Sequence, residues 1–457
     1  MRRPACTPGS RVRYRANIKL SKEQDKILGK SFGSSPKLHN ALTQSRKDLR
    51  IVELFAGSGG MGIGFLMASD QNKGFKIVHS SEINPICLRS LKRNYKYFSK
   101  NASNRIDDCI PSDFIPTDLT KRCDREKVKE AAKKVNGADI LIGGTPCQGF
   151  SASNRRGWDS KSCYNRLVEY FVQCALELKP KVILLENVQG ILWTPKNKKT
   201  KRQRRFTVVD HISKSLEASD YVLFPGVLDA AWYGVPQHRN RFFLLGLHKS
   251  LGYTSDYFGE WGAFPLPTHG LAGKYDYVTV GEAISDLPEV DNGEKRIIQN
   301  YRNPTKKQLE SNPFLAQMRM MANLGVIEGH IVSRQADYVI ERYKHIPPGG
   351  NWQNIRHLMT NYTNIDRTHS NIYRRLQWDE PSVTIGNYRK SMIVHPKEDR
   401  GLSLREATRL QSLPDWFTLC GTTNPFNNEG IIYKQQQLAN TVSFLLTLEI
   451  AKYILRL

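Results

Sequence analysis

Cys147 and Glu186 are the residues whose types and settings point most directly to covalent chemistry. Cys147 lies in Gly143-Gly144-Thr145-Pro146-Cys147-Gln148-Gly149-Phe150-Ser151, just after the apolar run Ala138-Asp139-Ile140-Leu141-Ile142. That run predicts a short buried strand, which the glycines and proline break and turn. A cysteine at the carboxyl end of a parallel strand stands where open α/β sheets hold their ligands. A second run, Val182-Ile183-Leu184-Leu185, ends in Glu186-Asn187-Val188 and brings a carboxyl group to the same rim. A thiol beside a carboxyl that stays protonated is a nucleophile with its acid partner. Free cysteines are more often buried and structural, but the Gly- and Pro-bounded loop argues against that for Cys147.

Ile51-Val52-Glu53-Leu54-Phe55-Ala56-Gly57-Ser58-Gly59-Gly60-Met61-Gly62 reads as a strand, a glycine-rich turn and a helix. Such turns let a nucleotide-like ligand approach the backbone, although tight strand–helix packing also selects glycine. The next strand ends at Ser81-Glu82, about 20 residues on, where a carboxylate can take ribose hydroxyls. The pair suggests an adenosyl ligand, and the displaced third glycine disfavours a pyrophosphate. In Gln237-His238-Arg239-Asn240-Arg241, residues 237, 239 and 241 share one face of an extended segment. Two guanidiniums aimed one way suit a phosphate or a base carbonyl, with a solvated edge strand as the alternative.

These residues need a sheet to position them. Across 49–246, short apolar runs alternate with turns and helical segments: Ile51–Phe55, Phe75–Ser80, Ile140–Ile142, Val182–Leu185, Tyr221–Val227 and Phe242–Leu245. That rhythm predicts an α/β fold with a parallel sheet covered on both faces. Residues 1–48 form a polar, basic extension with one possible helix around Lys19–Lys30. Residues 247–400 lose the rhythm and read as a second, smaller domain. Residues 401–457 regain it at Leu404–Phe417 and in a closing helix, Gln435–Leu455.

With 457 residues and 39% hydrophobic content the chain can bury a core and hold two or three domains. Its 68 Lys+Arg against 43 Asp+Glu give a net charge of +25, which points to a polyanion, most simply nucleic acid. The basic run 196–205 reads as a solvated loop, with a phosphate contact or mimicry of a localisation signal as the alternatives. The eight cysteines form no C-x-x-C pair and no His cluster has zinc spacing, so neither a metal site nor a disulfide scaffold is expected. No apolar segment is long enough for a membrane span and no signal peptide is evident, so the expected location is cytoplasmic.

Taken in order, the blocks resemble those of the DNA (cytosine-5)-methyltransferases. They are Phe55–Gly60, Glu82, Asp118-Leu119, Pro146–Gln148, Arg166-Leu167, Glu186–Val188, Gln237–Arg241 and Arg405–Pro414. The match spans about 50–455. The closing block departs from it, reading Ala439-Asn440-Thr441-Val442 where the family has Gly-Asn-x-Val.

The resemblance implies a doubly wound, mostly parallel sheet of the S-adenosylmethionine-dependent methyltransferase type, with 49–246 catalytic, 247–400 reading the target and 401–457 returning to the catalytic domain. It implies S-adenosyl-L-methionine held by Phe55, Ala56, Gly57, Gly59, Gly60, Met61, Glu82, Ile83, Asp118, Leu119, Pro146, Leu167, Asn440 and Val442. Cys147 would attack carbon 6 of a flipped-out cytosine. Glu186, its pKa raised by burial, would serve ring nitrogen 3, Arg241 the base carbonyl, and Arg239 the loop or a phosphate. Gln148, Ser151, Arg155, Arg156 and Gln237 would touch DNA, and 150–165, hinged at Gly157, would close over the base. The implied setting is a bacterial restriction–modification system: a monomer on double-stranded DNA, nucleoid-associated when bound, with a cognate endonuclease on the same site. A tRNA cytosine-5 methyltransferase, a catalytically inactive DNA-binding protein and a nicotinamide-dependent dehydrogenase are the alternatives.

Overall fold

The computed structural model describes residues 38, 40, 42, 48–70, 72–102, 108–146, 163–192, 208–270, 273–294, 298–299, 301–362, 365, 371–422 and 429–457. Two compact units divide the chain. One takes in Met1–Asp229, Asn240–Lys274 and Thr447–Leu457, the other Ala230–Arg239 and Tyr275–Leu446. Compactness thus places 230–239 and 401–446 with 275–400, and 247–274 with the first unit, a different partition from the one drawn on sequence rhythm.

The first unit is built on six strands: β1 (Asp48–Leu54), β2 (Gly74–Ser80), β3 (Ile140–Gly144), β4 (Val182–Val188), β5 (Tyr221–Asp229) and β6 (Asn240–His248). Their order is β2-β1-β3-β4-β6-β5. β1 pairs in parallel with β2 and β3, and β3 with β4, while β6 runs antiparallel to both β4 and β5. The sheet is therefore doubly wound and mostly parallel, with one reversed strand that the apolar runs did not announce. Being reversed, β6 begins at the edge where β1, β3 and β4 end.

Both faces are covered. Val52, Leu54, Leu141, Ile183, Leu185, Phe242 and Leu244 join one cluster with side chains of three helices, Arg122–Lys134, Cys163–Leu178 and Val208–Glu217. Each fully buried aliphatic or aromatic side chain there contributes about 1.5–3 kcal/mol. On the other face lie α1 (Gly60–Met67) and α2 (Pro85–Asn101), where Phe65 meets Phe75 edge to face at 5.0 Å. Asn84 caps α2 by accepting from Ile86 N at 2.9 Å, with Pro85 as its first residue. At the foot of the sheet, buried Asp139 takes the Arg50 Nε at 2.9 Å and the Arg50 backbone N–H at 3.0 Å, tying β1 to β3.

The second unit has short helices, a two-stranded antiparallel ladder of Ile298–Gln299 on Val326–Ile327, and a core around Tyr343, Trp352, Ile355 and Tyr373. Within the regular stretch Leu404–Phe417, a helix runs from Leu404 to Leu410. The expected closing helix is two helices, Glu429–Asn440 and Phe444–Ile454. At the break, side chains join the backbone N–H groups in taking up the carbonyls. Gln411 donates to the oxygens of Leu438 and Thr441, and Arg239 to those of Ala439 and Thr441.

Candidate active site

Parallel strands deliver their carboxyl ends to one rim, and the glycine-rich turn begins there at the end of β1. Phe55 has φ 56°, so the strand cannot continue through it, and Gly57 and Gly59 follow at φ 59° and 93°. A non-glycine residue in the left-handed region costs of order 1–3 kcal/mol and persists where its surroundings dictate it. Here Ala56 N–H donates to Ser81 O at 2.9 Å and Ser81 N–H to Glu53 O at 2.8 Å, bracketing the strained residue. A Cβ on Gly57 would meet no atom within 4 Å, so that position faces open space. Gly60 and Met61 open α1 and are buried.

Glu82 reaches this turn from the end of β2. One carboxylate oxygen accepts Gly57 N–H at 2.8 Å and the other Asn84 N–H at 2.7 Å. Burial raises its pKa against the pull of those bonds. Ile83 beside it is 58% exposed, an unusual setting for an isoleucine. Thr117 N–H donates to Glu82 O at 2.9 Å and brings Asp118-Leu119 to the same place. Asp118 is half-buried, with one oxygen accepting the Thr120 N–H at 3.0 Å and hydroxyl at 2.7 Å, and Leu119 is buried. Pro146 and Leu167 are both half-buried.

At the rim of β3, β4 and β6 the chemistry gathers. Gly144 pairs with Glu186, and Val188 with Arg241. Side chains alternate along a strand, so Glu186 and Arg241 share a face. Arg241 Nε lies 3.2 Å from Glu186 Oε1, and both side chains are nearly buried. Gly144 leaves room for this, since a Cβ there would stand 3.1 Å from Glu186 Oε2. Asn187 turns the other way, and its Nδ2 donates to Thr145 Oγ1 at 2.8 Å. That bond fixes the chain two residues before position 147. Cys147, Gln148, Ser151, Arg155, Arg156 and Gly157, with most of 150–165 and all of 1–37 and 196–205, lie outside the described residues.

Arg239 and Gln237 belong to the second unit and are fully buried. Arg239 donates to the carbonyls of Ile385 at 3.0 Å and Ala439 at 2.6 Å. Gln237 donates to Leu410 O at 3.1 Å and accepts Ile385 N–H at 3.0 Å. The shared face expected for 237, 239 and 241 thus gives way to separate tasks, with Arg241 on a carboxylate and the other two holding backbone. In this geometry Gln237 bonds structurally where a DNA contact was expected. Asn440 is exposed and Val442 buried in the same unit. Ala439 sits in a helix, a conformation alanine adopts freely, so the departure from glycine introduces no backbone strain.

Sequence reasoning missed Glu53, Tyr95, Asn94 and the Asn187–Thr145 bond. It also missed why Arg405–Pro414 is so polar. Arg409 has no solvent exposure and binds both Asp286 and Asp415. Burial alone would raise the Asp415 carboxyl, but Arg409 and Arg405 hold it well below the usual range. A buried glutamate inside an otherwise apolar strand was the legible signal for Glu53. Nothing local connects Arg409 to Asp286, 123 positions away.

The profile of the C-5 cytosine-specific DNA methylases matches residues 49–456, and the chain belongs to that family. It is 28% identical over 415 residues to the Type II methyltransferase M.DdeI of Desulfomicrobium norvegicum, covering 89% of this chain and 88% of that protein. It is 27% identical to M.Eco47II of Escherichia coli, over 89% of this chain and 79% of that one. The solved structure of a candidate DNA modification methyltransferase from an E. coli prophage shares the fold at a TM-score of 0.62 and 23% identity, covering 89% of this chain and 98% of that one. No helix among the described residues is long and apolar enough to cross a membrane.

Proposed function

We propose that the protein transfers a methyl group from S-adenosyl-L-methionine to carbon 5 of a flipped-out cytosine in a specific duplex DNA sequence, as the methylase of a restriction–modification system. The observation that carries this is the Glu186–Arg241 pair at the rim where β3 emerges toward position 147. A carboxyl beside a guanidinium matches the two polar positions of a cytosine edge: ring nitrogen 3 and the adjacent carbonyl oxygen.

The turn fits the donor. Gly57 faces open space, Glu82 offers a carboxylate beside it, and exposed Ile83 supplies an apolar surface for a flat ring. Phe55, Glu82, Ile83 and Asp118 would hold the adenosyl part, and the backbone of Gly57 and Gly59 the methionine part. When bound, the donor supplies a methyl group on a sulfonium. The chain does the rest. The Cys147 thiolate adds to carbon 6 while Glu186 donates a proton at nitrogen 3, which makes carbon 5 enamine-like. Arg241 holds the carbonyl oxygen. After methylation, the carbon 5 proton passes to water, the thiolate is expelled and the nitrogen 3 proton returns to Glu186, which restores aromaticity.

On this reading 247–400 reads the target, and Gln148, Ser151, Arg155 and Arg156 meet DNA. The protein acts as a monomer in the bacterial cytoplasm, bound to the nucleoid, beside an endonuclease of the same specificity. Bisulfite sequencing of DNA from expressing cells tests it: one sequence context should be protected with the wild type and none with Cys147→Ser. Methyl transfer to tRNA in place of duplex DNA would reject it.

A further inference from the structure

We infer that helix α2 sets the shape of the glycine-rich turn through Tyr95 and Asn94, which makes these two side chains positioning residues for the methyl donor. Both are fully buried and neither lies in a block that marks the family. Asn94 Nδ2 donates to Ser58 O at 3.0 Å, gripping the turn at its centre. The Tyr95 hydroxyl donates to Glu53 Oε2, which also accepts from Ser80 Oγ at 2.9 Å. Glu53 Oε1 accepts Gly62 N–H at 3.1 Å. The carboxylate therefore joins the end of β1, the end of β2 and the start of α1 to one tyrosine.

The glycines divide accordingly. A Cβ on Gly59 would stand 2.8 Å from Leu91 Cδ1 and 2.9 Å from Tyr95 Cε1, and one on Gly62 only 1.8 Å from the Tyr95 hydroxyl. Those two glycines admit α2. Gly57, with nothing within 4 Å of its Cβ position, is the one left for a ligand. The left-handed Phe55 between these anchors is held in place by them.

This inference rests on the proposed donor, and a binding measurement separates the two. Isothermal titration with S-adenosylhomocysteine reads affinity without turnover. Tyr95→Phe should raise Kd about tenfold, the size of one lost buried hydrogen bond, and Asn94→Ala should do likewise. In kinetics the KM for the donor should rise while kcat at saturation stays within about twofold. Tyr221→Phe is the control. Its hydroxyl donates to Pro180 O at 2.6 Å on the far edge strand of the same sheet, so it loses a comparable buried bond away from the turn. Wild-type affinity in both Tyr95→Phe and Asn94→Ala overturns the inference, as does equal weakening in Tyr221→Phe. A wild type that binds no S-adenosylhomocysteine overturns the donor reading, and this inference with it.

Discussion

Arg241 Nε and Glu186 Oε1 lie 3.2 Å apart on antiparallel neighbours β6 and β4, nearly buried at the rim of the sheet. The guanidinium gives the carboxylate a partner before any base arrives, and a base edge presenting a nitrogen beside a carbonyl can engage both. Glu186→Gln keeps the shape and removes the transferable proton. Its kcat should fall on the order of 10²-fold or more, in keeping with general-acid contributions, while S-adenosylhomocysteine affinity holds. An unchanged kcat would reject the role.

Arg241→Met should lose activity by a similar factor and also leave Glu186 buried without its cation. The distinguishing measurement is the pH–rate profile, whose alkaline limb should move to higher pH in Arg241→Met, because removing a nearby positive charge favours the protonated carboxyl that donates to nitrogen 3. A profile that loses height without moving would show that the pair is not coupled.

Cys147 is expected to form a covalent adduct with DNA carrying 5-fluorocytosine at the target, since fluorine cannot leave as a proton does. Denaturing gels should show the retarded species with wild type and none with Cys147→Ser. A trapped adduct in Cys147→Ser would place the nucleophile elsewhere.

Glu53 should make stability fall as pH rises. Burial pushes its carboxyl from 4.5 up to about 7, although bonds from Tyr95, Ser80 and Gly62 oppose the shift. The folded state holds the proton more tightly than the unfolded one. The stabilisation is therefore complete below pH 4.5 and is lost as pH climbs through 7. The upper limit is about 3 kcal/mol. Urea unfolding of wild type and Glu53→Gln across that range should show the wild type losing ground by up to this amount. A difference between them that is constant with pH would mean that Glu53 is ionised throughout.

Asp139→Ala should cost about 3–5 kcal/mol, because it leaves Arg50 buried without its carboxylate at the start of β1. The same urea titrations measure it, and a loss under 1 kcal/mol would show that the pair adds little.

Duplex DNA affinity should fall linearly in log–log form with salt, with a slope near −0.9 per phosphate contact. Fluorescence anisotropy between 50 and 200 mM salt measures this over roughly the usual range. A flat response would assign the +25 net charge some other purpose.

Local patterns in the sequence announced the strand–turn–helix at Glu53–Met67, the turn that leads from β3 toward position 147, the acids Glu82 and Glu186 at the ends of strands, and the class of chemistry. Each is a local pattern: an apolar run ended by glycine or proline, with a reactive side chain at a fixed offset. The six strands were legible for the same reason, since buried strands read as near-continuous apolar runs. Tertiary structure decided the direction of β6, because an apolar run looks the same read either way. Only the reversal carries Arg241 to the end of β4 and onto Glu186. Folding also decided that Gln237 and Arg239 hold backbone carbonyls and amides, since identical side chains on an extended segment would suit phosphate equally well. It decided, too, that Tyr95 meets Glu53, 42 positions away, and makes a helix with no signature of its own the support of the glycine-rich turn.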